Sequence, residues 1–177
     1  MQYIDVYSSP LGKLTIASDG EFLTGLWISE QKYFMANLAD VETKPDLPIF
    51  HKTRSWLDQY FEGKNPGPIP EVKAQGTEFR QRVWKLLAEI PYGQLTTYGE
   101  LARRIAAEQG IIKMSSRAVG GAVGHNPISI IVPCHRVIGS NGSLTGFGGG
   151  IARKIQLLKL EGIDISKLSI PTKGTAL

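Results

Sequence analysis

Three prolines stand within residues 64–70 (KNPGPIP), and neither an α-helix nor an inner strand can run through them, because proline lacks an amide proton and fixes φ. The segment should be extended and poor in backbone hydrogen bonds, and it divides the chain into two parts of different texture. Before it, residues 2–7, 13–17 and 22–28 read as short strands. They are separated by Ser9-Pro10-Leu11-Gly12 and Asp19-Gly20, the turns of an antiparallel meander. Asp46 can cap a helix with Pro48 in its first turn, and Trp56, Leu57, Tyr60 and Phe61 give that helix an apolar face ending at Gly63.

After the proline segment the period becomes helical. Thr77 is a suitable N-cap, and Phe79, Val83, Leu86, Leu87 and Ile90 recur at helical spacing until Pro91-Tyr92-Gly93. A second helix should begin near Thr97 and run through Leu101, Ala102 and Ile105, and a third should span about residues 115–123. Two short helices in succession look like a helix-turn-helix pair, although most such pairs only pack together and the connection over 109–114 exceeds the 3–4 residues usual for that motif. The β-branched run 128–132 predicts a strand, 139–142 a turn, 146–150 a glycine-rich loop, and 151–161 a last helix with Gly162 past its end. The expected class is therefore α/β (α+β). A small N-terminal antiparallel sheet with a helix occupies domain 1–75, and a helical domain that carries the helix pair occupies 76–177.

Charge is distributed unevenly between these parts. Residues 1–75 carry 7 Lys/Arg against 10 Asp/Glu, a net of −3, whereas 76–177 carry 13 against 6, a net of +7. A basic second part beside an acidic first part suits a polyanion that meets only the second, although chance solvation of a surface gives the same sum. One cysteine excludes an internal disulfide and any multi-cysteine metal site, three scattered histidines add no metal centre, and a reducing compartment, the cytoplasm, is the expected location. Residues 1–9 lack the basic and apolar regions of a leader, and no run of about 18 apolar residues suggests a membrane span.

Chemistry concentrates around Cys134. A thiolate is a nucleophile and an imidazole can take its proton, so Cys134 beside His135 suggests an activated thiol. In a regular strand, however, neighbours point to opposite faces, so the pair can cooperate only through a turn or a bridging water. A small buried hydrophobe is the plainer reading of a lone cysteine. The glycine clusters 120–124 and 146–150 lack the strand-loop-helix setting and the lysine of a phosphate-binding loop.

Four ordered motifs resolve the choice. Pro133-Cys134-His135-Arg136-Val137-Ile138-Gly139, Ser116-Arg117-Ala118-Val119-Gly120-Gly121-Ala122, Gly124-His125-Asn126-Pro127 and Leu157-Leu158-Lys159-Leu160-Glu161-Gly162 together resemble the O6-alkylguanine-DNA alkyltransferases, or methylated-DNA–protein-cysteine methyltransferases. The resemblance is strong over about residues 77–163, and the N-terminal third follows in its order of strands and helix. It implies an RNase H-like first domain and a winged-helix-like second one. The implied activity is direct reversal of DNA damage: a single, irreversible transfer of the alkyl group from O6-alkylguanine to Cys134, with O4-alkylthymine left open as a second substrate. No cofactor is implied, and the partner is double-stranded DNA bound by a monomer.

The resemblance also assigns roles. Glu161 orients His135, which takes the Cys134 proton through a water, and Asn126 holds the turn that carries the site. Arg117 fills the gap left by the flipped nucleotide, and flipping costs a few kcal/mol. Ser116, Ala118 and Gly120 lie on a recognition helix that enters the minor groove, only about 6 Å wide. Tyr98 helps turn the nucleotide outward and donates a hydrogen bond to the leaving guanine. Val123, Val137, Phe147, Gly148 and Lys154 surround the base, Phe147 standing where many relatives carry tyrosine. Outside these motifs, Arg117 would read as a solvated arginine, Tyr98 as a core aromatic and the small residues as helix packing. Two other functions use the same residues: a non-catalytic sensor of alkylated DNA, whose known relatives lack the cysteine, and a thiol hydrolase, which would turn over.

Overall fold

The computed structural model describes residues 1–36 and 38–171. Two compact units form: Met1–Gln75 with Pro127–Ile131, and Gly76–Asn126 with the chain from Val132 onward. The second differs from the expected 76–177 by the loss of five residues, Pro127–Ile131, to the first. The cause is backbone pairing: Leu26 N–H donates to the Pro127 carbonyl and Ser129 N–H to the Leu26 carbonyl, at 2.8 and 2.9 Å. This pairing lies far apart in sequence and leaves no local pattern.

In the first unit, β1 (Gln2–Ser9) and β2 (Gly12–Ser18) form a hairpin about Pro10-Leu11, and β3 (Leu23–Ile28) adds antiparallel to β2. A further strand, β4 (Val41–Thr43), pairs parallel to β1, giving the order β3-β2-β1-β4. Sequence reading missed β4 because its three residues are exposed and carry no alternation. Helix α1 (Pro48–Phe61) places Phe50, Leu57 and Tyr60 in the core with Leu14, Ile16, Leu23, Leu26 and Ile28. Its N-cap is Leu47, without a side-chain bond, and not Asp46: Pro48 is already the first helical residue, which puts Asp46 one position before the cap. The proline segment runs beside α1, with Trp56 Nε1 donating to the Gly67 carbonyl at 3.3 Å.

In the second unit, Thr77 caps α2 (Glu78–Ala88) through a bond from Arg80 N–H, and Thr97 caps α3 (Tyr98–Gln109) through one from Glu100 N–H. Gly110, at φ +65°, ends α3 in the left-handed region that favours glycine. After residues 110–115, Ser115 caps α4 (Ser116–Gly124). The helices bury Val83, Leu86, Leu87, Leu101, Ile105, Val119 and Val123, and Trp84 Nε1 donates to the Ala122 carbonyl at 2.8 Å. Two short parallel strands, β5 (Thr96–Thr97) and β6 (Val137–Ile138), then pair the start of α3 with the chain just past Cys134. Helix α5 (Ile151–Leu160) closes the unit, and Leu158 packs with Ile138 and Leu144.

The two threonine caps and the unused aspartate can be separated by stability. Thr77→Ala should lower the unfolding free energy by about 1 kcal/mol, whereas Asp46→Ala should change it by less than about 0.5 kcal/mol. Urea midpoints at constant slope measure both.

Candidate active site

The segment leading to Cys134 is not the expected strand over 128–132. Ile131 N–H donates to the Ser129 carbonyl at 2.8 Å around Ile130, whose φ is +71°. That conformation is rare for a β-branched residue and costs on the order of 1–3 kcal/mol, and Ile130 holds it while fully buried. A β-branched run suggests a strand by propensity, and tertiary structure overrides it here. Cys134 N–H then donates to the Val132 carbonyl at 2.8 Å across Pro133, at φ −82° and ψ 64°, which is an inverse γ-turn. Asn126 Nδ2 donates to the same carbonyl at 2.8 Å, so the turn that presents the cysteine is held by two donors.

Cys134–Arg136 form one 3₁₀ turn. With three residues per turn, successive side chains diverge by about 120° and not 180°, which removes the objection raised by a strand. Cys134 and His135 are both buried. His135 Nε2 lies 3.2 Å from Glu161 Oε1 at the end of α5. Arg136 shares that carboxylate: its Nε is 3.0 Å from both oxygens, its Nη2 bonds Oε1, and its Nη1 donates to the Ile90 carbonyl at 2.7 Å.

The β5–β6 pairing brings Tyr98 to this centre. Its hydroxyl donates to the Thr145 carbonyl at 2.9 Å, and the same carbonyl accepts from Lys154 Nζ at 2.9 Å. Lys154 Nζ also donates to the Val137 carbonyl and has no solvent exposure. A Cβ on Gly146 would stand 2.4 Å from the Tyr98 hydroxyl, and its φ of +86° disfavours other residues too. Phe147 is buried with its ring edge-on to His135, centroids 6.5 Å apart. Val123 and Val137 are buried and Gly148 half-buried, while Ser116, Arg117 and Ala118 are exposed on the first turn of α4. Gly120 is half-buried, its Cβ position 3.7 Å from the Tyr98 ring.

Two family models cover most of the chain. The 6-O-methylguanine DNA methyltransferase DNA-binding domain matches residues 78–163, and the ribonuclease-like domain of the same proteins matches 2–68. A methylated-DNA–protein-cysteine methyltransferase of Haemophilus influenzae is 47% identical over 98% of this chain and 90% of that protein. One from Methanosarcina acetivorans is 42% identical over 90% and 98%. The crystal structure of Mycobacterium tuberculosis OGT in complex with DNA superposes with a TM-score of 0.78 at 43% identity, covering 94% of each chain. The chain belongs to the O6-alkylguanine-DNA alkyltransferase family.

Burial sets the protonation of this family member's centre at rest. It pushes the Cys134 thiol up, only partly offset by Asn126, the Lys154 charge and local amides. Burial also lowers His135, against the pull of Glu161. For Glu161 burial acts upward, but hydrogen bonds from His135 and Arg136 overcome it and hold the carboxyl at about 2. Tyr98 is raised by burial, and Lys154 is lowered by burial to about 8. The resting set is thus thiol, neutral imidazole and carboxylate. Because Nε2 faces Glu161, the proton sits on Nε2 and Nδ1 is the basic nitrogen.

In the sequence Arg136 stands only as part of a motif. The signal for it was Glu161 itself, an acid in the last turn of a helix, which needs a cation to offset the unfavourable helix dipole. Lys154 shares the stripe Ile151, Ile155 and Leu158 at helical spacing, so its place on the apolar face could have predicted its burial. Among the described residues no three His, Cys, Asp or Glu cluster as a metal site, and no helix is long and apolar enough to cross a membrane.

The buried acid and histidine predict how stability depends on pH. His135 has a folded pKa below its unfolded value near 6.5, so below that pH the unfolded chain takes up the proton first and stability falls with pH. Glu161 is depressed to about 2, so its contribution is present above about 4.5 and lost as pH falls towards 2. Urea titrations from pH 8 to pH 3 should show both losses, and the lower one should vanish in Glu161→Gln. Arg136→Ala, which leaves Glu161 buried with His135 alone, should cost about 3–5 kcal/mol.

Proposed function

We propose that this chain repairs DNA by moving the alkyl group of O6-alkylguanine irreversibly onto Cys134, once per molecule. The observation that carries the reading is the buried Cys134-His135 pair on one 3₁₀ turn, with His135 against Glu161 at the end of α5, in a chain whose family acts on methylated DNA. The Cys134 sulfur forms a bond to the alkyl carbon while the carbon–O6 bond breaks, its electron pair passing to the guanine. The thiol proton goes through a water to His135 Nδ1, and the net proton lost by the thiol is the one regained by guanine. Glu161 stabilises the imidazolium that forms, while burial, reinforced by the Arg136 charge, keeps His135 neutral beforehand.

Tyr98 remains a phenol, so it can leave the Thr145 carbonyl and donate to the departing base as charge develops there. Lys154, Val137, Val123, Phe147 and Gly148 wall the base, and Asn126 keeps the cysteine turn in place. Arg117, exposed on α4, enters the space vacated by the nucleotide, and Ser116, Ala118 and Gly120 let α4 lie in the minor groove. The product is a thioether, which water does not cleave, so nucleophilic catalysis stops halfway. The protein works as a cytoplasmic monomer on double-stranded DNA, and the two units serve as separate domains.

Mass spectrometry after mixing with duplex containing O6-methylguanine should show one CH2 gained on Cys134, with unmodified guanine recovered one-for-one. Cys134→Ala should lose transfer and keep binding, and repeated turnover would instead indicate a hydrolase. Tyr98→Phe should slow transfer on the order of 10²-fold in single-turnover kinetics, and Arg117→Ala should slow transfer from duplex far more than from the free modified base.

A further inference from the structure

The connection between α3 and α4 carries two apolar side chains that the fold leaves outside. Ile111 is exposed and Ile112 fully so, in a chain whose other isoleucines in the helical unit are mostly buried or packed. Burying such a side chain is worth about 1.5–3 kcal/mol, so its full exposure forgoes a large stabilisation. The residues are not a random projection. With Lys113 and Ser116 they line a groove of about 400 Å³ whose opposite wall is the small-residue face of α3, Ala102 and Ala106, together with Arg103. Ser116 is the first residue of α4 and precedes Arg117, so the apolar tip adjoins the surface assigned to DNA above.

We infer that Ile112, supported by Ile111 and flanked by Lys113, is a second contact with the duplex, pressing an apolar side chain into the minor groove beyond the N-terminal end of α4. This inference rests on the DNA-facing orientation of α4 proposed above. Three observations select DNA as the occupant. The tip is continuous with that surface through Ser116. The groove is lined by Arg103 and Lys113 and by no acidic residue, which suits a polyanion. Proteins that read the minor groove commonly combine basic residues with an inserted apolar wedge, and an isoleucine fits that use. The connection, longer than the usual three or four residues, supplies the reach.

The test compares full-length variants on undamaged duplex of a length that holds one protein, across a salt series. Ile112→Ser should weaken binding about tenfold with an unchanged slope of log affinity against log salt, because no phosphate contact is lost. Lys113→Ala should lower that slope by about one, and Val6→Ser, an exposed apolar change in the first unit, should alter neither. Alkyl transfer to Ile112→Ser from free O6-methylguanine base should proceed at the wild-type rate, while transfer from subsaturating duplex falls with affinity. Unchanged affinity of Ile112→Ser on the short duplex would overturn the inference. A loss seen only on long duplexes that seat neighbouring proteins would overturn it too, in favour of contact between copies. Failure of wild-type Cys134 to gain mass would refute the repair reading instead, and the two failures are read in separate experiments.

Discussion

The carboxylate of Glu161 is the interaction on which the centre depends. A buried charge is tolerable only when paired and hydrogen-bonded, and here a permanent cation and an imidazole meet it from adjacent positions on one 3₁₀ turn. Arg136 takes both oxygens, so the charge of Glu161 is largely satisfied before His135 is considered. His135 keeps a single oxygen contact, enough to fix its tautomer and too little to hold it protonated against burial. Burial keeps His135 neutral, and the Arg136 charge acts in the same direction against the pull of Glu161.

Around that pair, backbone geometry does what helices and strands could not. A strand would have set Cys134 and His135 on opposite faces, whereas an inverse γ-turn at Pro133 followed by a 3₁₀ turn places them on neighbouring directions. The strained φ of Ile130 lies two residues before Val132, whose carbonyl receives both Asn126 and Cys134 donors. Strain of this kind persists only where surrounding contacts over-determine it, and the complete burial of Ile130 meets that condition.

Much of this was legible in the sequence, and for identifiable reasons. Thr77 and Thr97 announce their helices because an N-cap is a local chemical event, and the periodic apolar residues of α2 and α3 need no partner to be recognised. The motif residues Cys134, His135, Glu161, Asn126 and Tyr98 were named from resemblance, and the structure brings their side chains or backbone to one centre. What escaped was non-local or contrary to propensity. Strand β4 has three exposed residues and pairs with β1 across some forty positions. The run 128–132 has the composition of a strand and the conformation of turns. The transfer of Pro127–Ile131 to the first unit follows from hydrogen bonds with Leu26, a hundred residues away.

The carbonyl of Thr145 has a quieter consequence. An oxygen with two lone pairs serves both the Tyr98 hydroxyl and the Lys154 ammonium. Should the phenol swing away, the acceptor stays satisfied, and the usual penalty for stranding a buried polar atom does not arise. A tyrosine anchored in this manner can give up its acceptor without leaving that oxygen bare.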